Sequence, residues 1–199
     1  VTYQTETFFE PFKAYSGVFP DHGGFNFPQN VSVGAAYKLT PLLDVTAEYE
    51  FINFSSIGSM GNPGLTGLFS GQKLGSNGGP GFNWRDVNVI RIGANYQLTP
   101  QLQLRGGYAY STEGIRDSET FLNMMTLFTI QNQFTAGFTW ESSSRRWEYS
   151  GYLLYAPSEK VEGPIPAAFG GGNTALKMSE FAAGFSVGYK FDQPQSFKD

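Results

Sequence analysis

Apolar residues fall on every second position over eight stretches of the chain, and a period of two is the mark of β-strands with one greasy face. Seven stretches are clear: Asn30–Leu39, Leu43–Phe54, Asp86–Leu98, Leu102–Ser111, Asn132–Glu141, Arg146–Tyr155 and Leu176–Phe191. The opening Val1–Phe8 is a less regular eighth. In Leu43–Phe54, Leu43, Val45, Ala47, Tyr49 and Phe51 oppose Asp44, Thr46, Glu48 and Glu50. The same division holds in the others, so the pattern predicts an all-β, antiparallel protein.

Connection lengths alternate. The segment "YKLTPLLDV" (37–45) returns as "YQLTPQLQL" (96–104), and each copy sets Thr-Pro between two alternating runs, as a tight hairpin would. Together with Ser142–Arg145 these make three short turns, while Phe9–Phe25, Ser56–Arg85, Thr112–Gln131 and Pro157–Ala175 read as long loops. Short turns at one rim and long loops at the other are the pattern of outer-membrane barrels, with the short side periplasmic.

The two faces differ in charge. The apolar face is nearly free of it, whereas the other carries Lys38, Glu48, Glu50, Arg91, Arg105, Glu141 and Lys190 among Gly, Ser, Thr, Asn and Gln. A soluble barrel would hide bulky aliphatics and expose the charge, so this arrangement suits a polar lumen inside an apolar wall. Tyr37, Tyr96, Trp140 and Trp147 flank the short turns, and Tyr189 sits near the end of the last strand. Amphipathic rings in those places fit a belt at the lipid–water boundary, with Tyr49, Tyr108, Tyr110 and Tyr155 toward the other rim. The competing reading is ordinary aromatic packing on strands.

Composition narrows the class. Of 199 residues, 17 % are aromatic and only 15 % charged, against about 25 % charged in ordinary soluble domains. No apolar run approaches the roughly 18 residues of a membrane helix. The net charge of −4 argues against nucleic acid, which wants a basic patch. With no Cys and with His22 as the one histidine, neither a disulfide framework nor a transition-metal site is expected. The Gly-rich runs "GSNGGPG" (75–81) and "GGGN" (170–173) lack the Lys-Ser/Thr of a phosphate loop. No nucleophile–base pattern stands out, so no enzyme activity and no cofactor is expected.

The candidate ligand features are hydrophobic. Loop Thr112–Gln131 contains "FLNMMTLFTI", with Phe121, Leu122, Met124, Met125, Leu127, Phe128 and Ile130 in a segment that should face water. These residues must be buried against something. Flexible Met suits adaptable binding of varied apolar ligands, and inward packing against other loops explains the run equally well. Leu65, Leu68 and Phe69 offer a second wall. The preceding "DSETFLN" reads as a short loop helix. In the lumen, Arg91 and Arg105 could meet a ligand carboxylate, or could form structural pairs, such as Arg105 with Glu48 or Glu141.

The succession "FKAYSGVF", "FNFPQNVSVGAAYKLTP", "INFSS", "GNPGL", "GFNWRDVNVIRIGANYQLTP", "LQLRGGYAYS" and "LKMSEFAAGFSVGYKF" resembles the C-terminal half of FadL/TodX-type outer-membrane transporters. The resemblance implies a bacterial outer-membrane location, among lipid and lipopolysaccharide, and passive uptake of long-chain fatty acids or aromatic hydrocarbons. It implies that these eight or so strands, over residues 1–191, are part of a fourteen-stranded barrel whose N-terminal half, with its plug, would be the partner. The family often closes with an aromatic strand, and the polar tail 192–199 after Phe191 departs from that pattern. Two alternatives stay open: a small non-transporting barrel with a structural or adhesive role, and a soluble lipocalin-like binder with its aromatic face turned inward.

Overall fold

A computed structural model of the chain describes residues 1–126 and 128–191; the expected ligand residue Leu127 and the expected polar tail 192–199 fall outside the described residues. The strands are β1 (Thr2–Gln4), β2 (Asn30–Thr40), β3 (Leu43–Ile52), β4 (Val87–Thr99), β5 (Leu102–Ser111), β6 (Asn132–Glu141), β7 (Trp147–Pro164) and β8 (Asn173–Tyr189). They form one antiparallel sheet in the order β1 to β8, each paired to the next in sequence. β1 and β8 lie at opposite ends of that order, so the described strands make an open wall.

The repeated turn has a local cause. In both copies the ladder slips by one residue at the turn, between Lys38 and Thr40 and between Gln97 and Thr99. The threonine hydroxyl closes each turn: Thr40 Oγ1 accepts from the Leu42 N–H at 3.2 Å, and Thr99 Oγ1 from the Gln101 and Leu102 N–H groups at 3.3 and 3.0 Å. Proline, with φ preset, follows the threonine each time.

The charged face is the concave one. Ile52 of β3, Arg91 of β4, Gln133 of β6 and Met178 and Glu180 of β8 line one cavity, which a flat sheet could not bring together. The greasy face is convex, and Phe181, Phe185, Val187, Ile90 and Ile92 on it are exposed. No helix among the described residues is long and apolar enough to cross a membrane.

Halfway up the wall both faces become small. Ala94, Gly106 and Ala136 are direct cross-strand neighbours on the outside, and Ala35 pairs with Ala47. Gly93 pairs with Gly107 on the inside. The outer face is therefore hollowed into two shallow grooves of about 610 and 570 Å³. Tyr152, the sole aromatic on the inner faces of β2–β8, lays its ring over Gly184, where a Cβ would strike the ring.

The buried apolar residues gather at the long-loop end. Val87 and Val89 top β4, while Ile115, Val161 and Leu176 form a cluster against which Trp84 and Phe128 pack. Ile57, Met60 and Leu65 lie in the loop before β4 and are also buried.

Two expectations need correction. Residues 157–175 are mostly strand: β7 and β8 pair from Glu159↔Met178 to Pro164↔Asn173, and only 165–172 connect them. The register shifts between Ala156 and Glu159, and this bulge resets the alternation through "APSEKVEGP", hiding the ladder from a period-two reading. At the start, β1 covers only Thr2–Gln4, followed by an isolated bridge from Thr7 to Phe27.

Candidate hydrophobic site at the loop end

The projecting part of the β7–β8 hairpin is the post on which the loop 112–131 docks. Gly163 lies so close to the Asp117 carbonyl and the Thr120 hydroxyl that no side chain fits there. Short 3-10 turns follow at Asp117–Glu119 and Leu122–Met125, with no side-chain cap.

Polar groups hold this layer together. Asn123 is fully buried. Its Oδ1 accepts from Trp84 Nε1 at 2.6 Å and from Thr126 Oγ1 at 3.1 Å, while its Nδ2 donates to the Phe82 and Glu119 carbonyls at 3.0 Å. Glu119 is 1 % exposed. Its Oε2 accepts from the Leu65 N–H at 2.9 Å and its Oε1 from Asn83 Nδ2 at 3.0 Å. Two loops distant in sequence, 53–86 and 112–131, are thus clamped through two side chains. Buried polar groups satisfied in this way specify one arrangement, because any other leaves donors orphaned.

Around the clamp runs a row of rings. Phe12 and Tyr15, both exposed, stand 6.5 Å apart, and Tyr15 and Phe19 6.0 Å. Phe19 meets Phe82 at 6.4 Å, Phe82 stacks on Trp84 at 5.9 Å, and Trp84 stacks on Phe128 at 5.1 Å. Phe128 lines the cavity under the loops, of about 370 Å³, together with Ile52, Val87, Val89, Ile130 and Met178. That volume lies within the roughly 300–1,000 Å³ of small-molecule sites. The row therefore joins the outer loop surface to the lumen.

The expected ligand run behaves differently from its reading. Met124 and Met125 are 45 % and 75 % exposed, although their hydrophobicity called for burial; the buried positions are the polar Thr120, Asn123 and Thr129. Hydrogen bonding sets the inward face of this segment, and the methionines are left outside. Phe121 stacks on Phe169 of the hairpin tip at 5.1 Å, and Phe69 approaches Phe169 at 6.5 Å. Leu122 is half-buried against Gly64. Phe69 and the exposed Phe169 thus form an apolar patch with Phe121, apart from the Phe128 row. Leu65 and Leu68 are buried and half-buried. Sequence reasoning missed Phe19, Phe82, Trp84 and Phe54, whose ring meets Trp84 at 5.3 Å and Phe128 at 5.7 Å; for Phe82 and Trp84 the aromatic run "GFNWRD" was the available signal.

The lumen charges pair otherwise than expected. Arg91 binds Glu48 at 2.6 Å and Glu50 at 2.7 Å. Glu141 is bound to Lys190 at 2.6 Å. Among the described residues Arg105 bonds only its strand neighbour Gln103, at 2.7 and 3.1 Å. Register is the reason: Glu48 stands directly opposite Arg91, whereas Arg105 faces Asn95 and Gly137. At the short-turn rim, Tyr37, Tyr96, Trp140, Trp147 and Tyr189 are all exposed, and Trp147 meets Tyr189 at 4.8 Å. His22 is exposed in a left-handed backbone conformation and lines none of these features. Among the described residues no cluster could hold a metal.

Glu113, just beyond β5, has one carboxylate oxygen buried without a hydrogen-bond partner. Burial raises its pKa, repulsion from Asp117 adds to the rise, and Arg85 opposes it. The folded acid therefore keeps its proton to higher pH than the unfolded chain does. Its contribution to loop stability is greatest below the unfolded pKa and declines as pH rises from there through the folded value. Glu113→Gln should remove that decline and slow proteolysis of loop 112–131 at pH 7; the same pH slope in both proteins would refute this.

Comparison with known proteins places the geometry. A family model described as outer membrane protein transport protein (OMPP1/FadL/TodX) matches residues 16–146. Among solved structures, the chain is similar to the P. putida toluene transporter TodX, at 14 % identity and a TM-score of 0.56, covering 84 % of this chain and 36 % of that one. It is similar to a Pseudomonas aeruginosa FadL homologue at 14 % identity and a TM-score of 0.58, over 84 % of this chain and 37 % of that one. At this identity the likeness is one of fold, and the chain spans little more than a third of the length of those structures. No curated protein matches the sequence.

Proposed function

The chain belongs to the outer-membrane transport protein family OMPP1/FadL/TodX, and from that membership we propose that it forms part of the wall and mouth of an outer-membrane channel for hydrophobic small molecules. The observation that carries this reading is the row of rings from Phe12 and Tyr15 to Phe128, ending at a lumen cavity with apolar walls. A hydrophobic compound would leave water at the loop surface and pass from ring to ring. It would enter the cavity with no cofactor or energy input, driven by the gain on leaving water, about 25 cal/mol per Å² buried.

Fatty acids and aromatic hydrocarbons are the compounds that the family resemblance suggests. The apolar patch of Phe69, Phe121 and Phe169 and the exposed Met124 and Met125 support a capture surface, and the aromatics at the short-turn rim support an anchor at the membrane boundary, beside lipid and lipopolysaccharide. In lipid a free sheet edge is costly, because its N–H and C=O groups have no water to bind. The open edges of β1 and β8 therefore support a wall completed by further strands, such as the family's N-terminal half; intact mass of the protein from its native membrane tests this.

Trp84 stacks on Phe128 beside the cavity, so its emission should change as ligand enters. Titration with toluene and with a medium-chain alcohol should give saturable quenching. Phe121, Met125 and Phe128 changed together to Ser should weaken binding about a hundredfold, since three large apolar contacts are removed, each worth of the order of 1 kcal/mol. Unchanged binding would take that loop out of the site.

A further inference from the structure

The cavity beneath the loops is apolar on most sides, and its charged members decide what can enter. Arg91 is its one cation, and that guanidinium is already held by two carboxylates, Glu48 and Glu50. Glu180, on β8, lines the same cavity with no ion pair to any described residue. Glu48 and Glu50 both bind Nη1 of Arg91, so among the described residues three carboxylates stand against one cation at this level of the wall. Arg105 lies lower on β5, four residues from the cavity-lining Ala109, which at about 3.4 Å per residue puts it roughly 14 Å down the wall. Its bonds to Gln103 run along its own strand.

We infer that the Glu48–Arg91–Glu50 triad and Glu180 act as an anion filter, so that the cavity accepts uncharged hydrophobic molecules and excludes amphiphiles carrying a carboxylate. The inference rests on the channel reading above and narrows its substrate class. In a low-dielectric cavity a surplus of two negative charges repels a third strongly, while an alcohol or hydrocarbon of equal length meets the same apolar walls without that cost. The triad acts on selection alone: the carboxylates satisfy Arg91, and their surplus charge sets the sign of the field.

The test compares two ligands of equal chain length, dodecanol and dodecanoate, at pH 8. Each is titrated against the protein at its native length, in detergent, with Trp84 emission as readout. Dodecanol should bind at least about tenfold more tightly than dodecanoate. In the Glu50→Gln, Glu180→Gln double variant the ratio of the two dissociation constants should move about tenfold toward dodecanoate. Heat-modifiable electrophoretic mobility verifies that the variant is folded. Equal or tighter binding of dodecanoate by the wild-type protein overturns the filter whatever the variant does, and so does an unchanged ratio in a folded variant. If neither ligand binds, the channel reading itself fails and the filter falls with it.

Discussion

Asn123→Ala should detach the loop 112–131 from the loop 53–86 while the strands stay paired. The side chain is fully buried and makes four hydrogen bonds, to Trp84, Thr126, Phe82 and Glu119. Alanine leaves the Trp84 N–H and two carbonyls without partners in a site closed to water. Each orphaned buried group costs about 1–3 kcal/mol, so a local loss of about 3–5 kcal/mol is expected. Trp84 should report it by a red-shifted emission and loss of its stacking on Phe128. The other tryptophans, Trp140 and Trp147, lie at the opposite rim and should stay as they are. Glu119→Ala should produce the same release through the Leu65 N–H and Asn83. An unshifted Trp84 in both variants would mean that ring packing alone holds the loops.

Gly163→Val should part the same loop from the hairpin by a different route. The Asp117 carbonyl and Thr120 hydroxyl occupy the space where a side chain at 163 would go. Backbone cannot step aside as a flexible side chain does, so overpacking here should cost about 3 kcal/mol, at the upper end of what inserted methyl groups do in a packed interior. Val161 and Leu176 would lose Ile115 from their cluster. Faster hydrogen exchange at residues 115–123, with unchanged exchange in β4 and β5, is the expected result. If protection in 115–123 is kept, the hairpin is not the post that positions the loop.

The strands were legible because a wall with one greasy and one polar face writes itself with a period of two, and β5 and β6 match their expected bounds residue for residue. The projecting half of β7 and β8 was not, since one bulge turns the alternation over and two prolines imitate a loop. The expected pairing of Glu48 went to the wrong arginine. Facing residues were readable from each strand, yet the partner depends on register, and register places Arg91 opposite Glu48. The loop site was the least legible part. Phe19, Phe82 and Phe128 come from three separate loops, and no local pattern says that such rings will meet. Nor does hydrophobicity say that Asn123 goes in and Met125 stays out; the count of hydrogen bonds that Asn123 makes with its surroundings decides that.

The waist of small residues gives the wall a mechanical weak line. Stiffness across a sheet comes from side chains meshing on both faces, and at Gly93, Ala94, Gly106 and Gly107 there is little more than backbone to mesh. Bending about that line compresses no core and moves no ring, so curvature should concentrate there while the loop layer and the short-turn rim travel as rigid blocks. Lipid chains filling the two outer grooves would press on the ladder itself. A bilayer a few ångströms thicker or thinner would then be accommodated by flexure at the waist, and the loop layer would tilt with the membrane around it.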